Sequence, residues 1–125
     1  MSQAKIFEEF KDFVLFLYIY MADADGNIDI SEIELILEKL KKLYPDELEH
    51  NILFEKAMAE FLDMKKSQVE EVLVSNFEYH SDESFTKKYK IFSDLYEIIH
   101  ADGVVDERES KSIAKLKAMI ERNID

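Results

Sequence analysis

The chain has no cysteine. That excludes disulfide bonds, thiolate zinc centres and cysteine nucleophiles together. Glycine occurs twice and proline once in 125 residues. A β-sandwich or loop-rich fold needs turn residues roughly every 8–12 positions, so both are excluded. The N-terminus lacks a basic stretch followed by an apolar core and a small-residue cleavage site. The longest apolar run, Phe13 to Ala22, has ten residues, against about 20 needed to cross a bilayer. The expectation is a cytoplasmic, soluble protein with no direct membrane insertion, in which this run is a helix buried on most of its sides.

Hydrophobic residues make up 47% of the chain, with nine Phe and six Tyr, which is enough to fill one core. The length fits a single domain over residues 1–125 and leaves little room for a second. The formal charge of -12 repels phosphate backbones and anionic lipid, so nucleic acid is not an expected partner. Such a field favours cations or basic protein surfaces, and it also keeps an acidic bacterial protein soluble.

Apolar spacing predicts six helical segments and no strand, hence an all-α class. The first covers about 3–23, with Ile6, Phe10, Phe13, Val14, Leu17 and Met21 on one face. The second covers about 30–43 with Ile33, Ile36, Leu37 and Leu40 inward, and Tyr44-Pro45 stops it. Pro45 then suits the first turn of a third helix. Asp46 and Glu47 favour its positive end. The inward face of that helix is expected to be Leu48, Ile52, Leu53, Ala57, Met58, Phe61 and Leu62. The fourth starts near Ser67 with a stripe of Val69, Val72, Leu73 and Phe77. The fifth runs about 83–100 through Phe85, Tyr89, Phe92, Leu95, Tyr96 and Ile99. The sixth carries Ile113, Leu116 and Ile120.

Both glycines belong to one repeated pattern. Ala24-Asp25-Gly26-Asn27-Ile28-Asp29-Ile30-Ser31-Glu32 returns 77 positions later as Ala101-Asp102-Gly103-Val104-Val105-Asp106-Glu107-Arg108-Glu109. Each copy follows an aromatic-rich apolar segment and precedes an amphipathic one. The expected architecture is a single compact bundle of six to seven helices in which helix–loop–helix units are related by an internal pseudo-twofold.

The simplest reading of each copy is a capped turn. Asp29-x-x-Glu32 and Asp106-x-x-Glu109 fit capping boxes, Gly26 and Gly103 supply left-handed geometry, and Ile28 and Val105 plug the core. This leaves Asp25 and Asp102 unexplained beyond turn preference. A calcium EF-hand loop with Gly26 at its sixth position would use Asp23, Asp25, Asp29 and Glu32. Its first ligand position falls on Met21, and on Ile98 in the second copy, where His100 also replaces an oxygen ligand. Neither Met nor Ile ligates a hard cation.

The two copies of Ala-Asp-Gly-x-aliphatic-Asp-x-x-Glu resemble the tellurite-resistance TerB-like family, a compact all-α domain with two such junctions. That family occurs alone, in tellurite-resistance operons, and fused to membrane-anchored J-domain co-chaperones. The resemblance spans nearly the whole chain. It implies that Asp25, Asp29, Glu32, Asp102, Asp106 and Glu109 are candidate ligands of a weakly bound divalent cation, Ca²⁺ or Mg²⁺. It implies no catalytic residue, and no other cofactor is expected.

His50, His80 and His100 lie in separate segments and read as surface or helix-end residues. The serines sit at caps and turns, without a glycine-flanked elbow, and no phosphate loop exists. The aromatic stripes Phe7-Phe10-Phe13 and Phe85-Tyr89-Phe92-Tyr96 read as core. Lys39-Leu-Lys41-Lys42 and Lys87-Lys88-x-Lys90 read as small basic faces on an acidic protein. The function expected is a non-enzymatic TerB-like module that mediates protein interactions in a tellurite, oxyanion or general stress response, with a cation bound at its loops. Two alternatives stand beside it. One is an acidic adaptor whose loops are capped turns without metal. The other is a hydrolase that uses the six carboxylates around a divalent ion.

Overall fold

The computed structural model describes residues 5–24, 26, 28–101 and 107–122. Among them six helices follow one another: α1 Phe10–Ala22, α2 Ile30–Leu43, α3 His50–Leu62, α4 Lys66–Tyr79, α5 Phe85–Ile99 and α6 Glu107–Arg122. No strand occurs among the described residues, so the all-α class holds.

The bundle is built around α1. Every residue from Phe13 to Ile19 is buried, together with Met21 and Ala22. This helix packs against α2, α3, α5 and α6. A helix that is apolar all round has no side for water, so its neighbours must enclose it. The others supply one stripe each: Ile36 and Leu40 from α2, Val72, Leu73 and Phe77 from α4, Leu95 and Ile98 from α5, Ile113 and Leu116 from α6.

The 77-residue offset of the sequence repeat reappears in the backbone. α1 ends at Ala22 and α5 at Ile99, while α2 begins at Ile30 and α6 at Glu107. The closing bonds match as well. Asp23 N–H donates to the Ile19 carbonyl at 3.0 Å and Ala24 N–H to Met21 at 3.2 Å, while His100 donates to Tyr96 and Ala101 to Ile98, both at 3.2 Å. Asp23 and His100 share nearly the same backbone angles, φ -86 and -96 with ψ 0 in both. The leading helices of the two pairs therefore end in register.

Three expectations need correction. The first helix begins at Phe10, not near residue 3. Residues 5–9 are non-helical because α4 offers their backbone other partners. Asn76, fully buried, accepts from Phe7 N–H at 2.8 Å and donates to the Lys5 carbonyl at 2.8 Å and to the Val72 carbonyl at 2.7 Å. His80, also buried, lies with Nε2 2.6 Å from the Phe7 carbonyl. Its ring stacks on Phe13 at 5.9 Å.

The third helix begins at His50 rather than Pro45. Pro45 to Glu47 form a turn closed by Glu47 N–H on the Tyr44 carbonyl, which His50 Nε2 also contacts at 2.9 Å. Shifting the start moves the inward face. Phe54 and Phe61 are buried, whereas Leu48, Ile52 and Leu62 are exposed.

The aromatic stripe of the fifth helix is not core. Tyr89 and Tyr96 are exposed and sandwich the half-buried Phe92, at 6.4 and 5.2 Å between ring centres. The inward face of α5 is Ile91, Leu95, Ile98 and Ile99 instead. The Phe85 side chain lies outside the described residues.

Asn76→Ala is expected to remove the two hydrogen bonds that pin residues 5–7 to α4, together with the bond to Val72 within α4. Urea unfolding should show a loss of about 2–4 kcal/mol, and the Phe7 amide should exchange much faster than in the wild type. Asn76→Asp, which cannot donate to the two carbonyls, should fail to rescue either readout. An unchanged Phe7 exchange rate in Asn76→Ala would refute the clamp.

Candidate functional site

The first Asp-Gly loop is built as a cap. Gly26 has φ +81 with open space around it, so its need is conformational rather than steric. Asp29 sits in extended geometry before α2 and accepts from the Ser31 amide at 2.8 Å and from the Ser31 hydroxyl. Glu32 reaches back to Asp29 N–H at 3.0 Å, completing the capping box. Both bonds from Ser31 stabilise the ionised carboxylate, so the Asp29 pKa lies below the usual carboxylate range. Ile28 is half-buried against the core, as a plug should be.

Glu32 and its counterpart Glu109 are both buried, each at 2% exposure. Two carboxylates one repeat apart therefore turn inward from the first turns of α2 and α6, where the helix dipole favours negative charge. Asp25, Asp102 and Asp106, with Gly103 and Val105, lie outside the described residues. Among the described residues no group of three or more His, Asp or Glu side chains is placed to hold a metal ion. In the first loop the hydrogen bonds of Asp29 and Glu32 point their carboxylates at the protein's own amides.

The histidines are at helix ends, as read. His50 opens α3, and His80 and His100 close α4 and α5. Among the described residues they join no group of three or more His, Asp or Glu placed to hold a metal ion.

A concave surface lies elsewhere, in an open groove of about 730 Å³ between α1, α2 and α5. Its apolar lining comes from Phe10, Val14, Leu35, Leu43 and Ile91. Lys39 and Lys42 line it from α2, Lys87 and Lys90 from α5, and Lys11 from α1. The two lysine runs that look like separate basic faces in the sequence thus meet around one site. Lys88, between the latter pair, turns inward instead. It is buried and donates to the Ser81 carbonyl at 2.8 Å.

A polar network forms the base of the groove. Asp94, buried at 7% exposure, accepts from the Tyr18 hydroxyl at 2.9 Å and from Lys39 at 3.0 Å. Lys39 also pairs with Glu97 at 3.0 Å, and Lys90 reaches Asp94 at 3.5 Å. Burial first, and then the neighbouring Asp94 charge, push the Tyr18 phenol far above its ordinary pKa. The phenol stays protonated and donates. Sequence periodicity had no means to find this network, since its members stand on three helices. The one available signal was Asp94 itself, an acid at the position that Leu17 occupies in the first half.

Two outcomes test these assignments. The low Asp29 pKa stabilises the fold fully above the ordinary carboxylate value of about 3.9, and that contribution is lost as pH falls through the lower folded value. The stability gap between wild type and Asp29→Asn should hold steady from pH 7 to 5 and narrow below about pH 4; a gap that does not narrow removes the cap. A double-mutant cycle of Lys39→Met with Asp94→Asn should give a coupling of about 1–2 kcal/mol by urea unfolding. The exposed pair Glu38–Lys41, 3.6 Å apart, should give below about 0.5 kcal/mol.

No protein-family model matches this chain, and neither a curated protein nor a solved structure matches it either.

Proposed function

We propose that this chain is a non-enzymatic protein-interaction module, and that it holds a segment of another protein in the groove between α1, α2 and α5. The observation that carries this reading is the convergence of Lys39 and Lys42 with Lys87 and Lys90 around an apolar lining. Recognition grooves combine apolar surface with a few placed charges. The ionisable groups at the base support binding rather than proton transfer. Asp94 is held by Tyr18 and Lys39, and the Tyr18 phenol is pushed away from any pKa at which it would exchange a proton near neutrality.

In this reading the Asp-Gly loops are structural. They turn the chain between α1 and α2 and, by the same sequence pattern, between α5 and α6, so that the helices lining the groove keep their relative placement. The setting implied by the TerB-like resemblance, a response to tellurite or other stress, rests on the two loop motifs alone. A carboxylate-metal hydrolase would have to draw on Asp29 and Glu32, whose hydrogen bonds make the α2 cap.

A photo-crosslinking residue placed at Leu35 or at Lys87 should trap the same partner in cells of the native host, and one at the exposed Glu71 of α4 should not. The trapped protein, purified, should then bind the purified chain. Equal adducts from Glu71, or no adduct from either groove position, would refute groove docking.

A further inference from the structure

We propose that the segment held in this groove is an acidic amphipathic helix. The proposal rests on the docking reading above and adds the chemical class of the occupant.

The lysines are spaced as helix partners. Lys39 and Lys42 stand three residues apart on α2, and Lys87 and Lys90 stand three apart on α5. Residues three apart lie on one helix face, about 4.5 Å along the axis. The exposed α5 pair therefore matches carboxylates spaced three or four residues apart on a docked helix, and Lys42 adds a third cation from α2, where Lys39 is held by Asp94 and Glu97. The apolar lining between the pairs suits the stripe of Leu, Ile or Phe that an amphipathic helix presents at i, i+3, i+4 and i+7.

Charge selects the same class. The groove is lined by five lysines and four acids. Two of those acids, Asp94 and Glu97, are tied to Lys39, whose side chain is only 12% exposed. Lys87 pairs with Glu83 at 3.4 Å and Lys90 with Asp94 at 3.5 Å, but these two lysine side chains are 64% and 71% exposed, so their pairs are the weak, solvent-screened kind that an incoming carboxylate can replace. Everywhere else the chain must carry the surplus that gives -12 overall. A basic segment is drawn to many places on such a surface and gains least here, where five lysines outnumber four acids. An acidic segment is repelled broadly and drawn here, so the field itself narrows its landing site. Net acidity thus points to an acidic partner, the reverse of what composition alone suggests. The partly buried Lys39 stem adds apolar surface to the wall while its head stays fixed by Asp94.

The test uses the full chain, ¹⁵N-labelled, and three synthetic 18-residue peptides. The first carries a Leu stripe at helical spacing flanked by Glu on both sides. The second has Lys in place of every Glu, and the third has Ser in place of every Leu. The Glu/Leu peptide should shift, saturably, the amides of residues 35–43 and 87–94. Its affinity should fall about tenfold or more in Lys42→Glu/Lys87→Glu, and again on raising salt from 50 to 500 mM. The other two peptides should leave those amides unmoved. Both substitutions are at solvent-exposed sites, and the variant's own amide spectrum reports whether it is folded. If the Lys/Leu peptide saturates the groove as well, docking stands and the acidic class is overturned. If the Glu/Leu peptide moves nothing there while crosslinking from Leu35 and Lys87 still traps one partner, the acidic helix is likewise overturned. If crosslinking fails too, the docking reading falls with it.

Discussion

A helix enclosed on every side sets the terms for the rest of this molecule. From Phe13 to Ile19 every residue of α1 is buried. One of those residues is a tyrosine, and a buried hydroxyl without an acceptor costs on the order of 1–3 kcal/mol. Asp94 answers Tyr18, and a buried carboxylate in turn needs a cation. Lys39 supplies it and brings Glu97 into the same network. The polar base of the groove is thus a consequence of burying α1 completely. The concave surface that we assign to binding is shaped by a core requirement.

The parts of this architecture that depend on periodicity were readable from the sequence. α2 begins and ends where its cap and the Tyr44-Pro45 stop place it, and the stripe of α4 is buried as spaced. The parts that depend on a competing partner were not. Residues 5–9 have helical spacing but lie beside Asn76, whose amide matches a peptide group in both donor and acceptor. A polar residue inside the Val69–Val72–Leu73–Phe77 stripe was the visible sign. Pro45 was compatible with a helix start, but the Tyr44 carbonyl closes a turn first. Tyr89 and Tyr96 satisfy a core pattern equally well from the outside of α5, where they pack against Phe92 in tilted and edge-on contacts and leave the interior to isoleucine and leucine.

The candidate site divides the same way. Carboxylates at Asp-Gly loops are conspicuous in sequence because they repeat, yet Asp29 and Glu32 serve the start of α2. The groove was present in the sequence only as two short basic runs 48 residues apart (Lys39 and Lys87). No local pattern joins them. Their meeting requires α2 and α5 to pack on the same helix, which both do. Repetition marked the scaffold, and an irregularity within the repeat, Asp94 in place of leucine, marked the site.

The enclosure of α1 also has a cost in time. Its principal partner, α5, starts 75 residues further along the chain, at Phe85 against Phe10. At about 5–20 residues per second of synthesis, the most apolar helix of the protein waits roughly 4–15 s before the helix that covers it has begun to be made. During that interval Phe13, Phe16 and Leu17 are bare or only partly screened by α2 and α3. The nascent chain therefore passes through a sticky intermediate whose lifetime is set by the ribosome rather than by folding. The heavy negative charge found in the finished protein is already useful there, since it keeps unfinished copies from meeting one another.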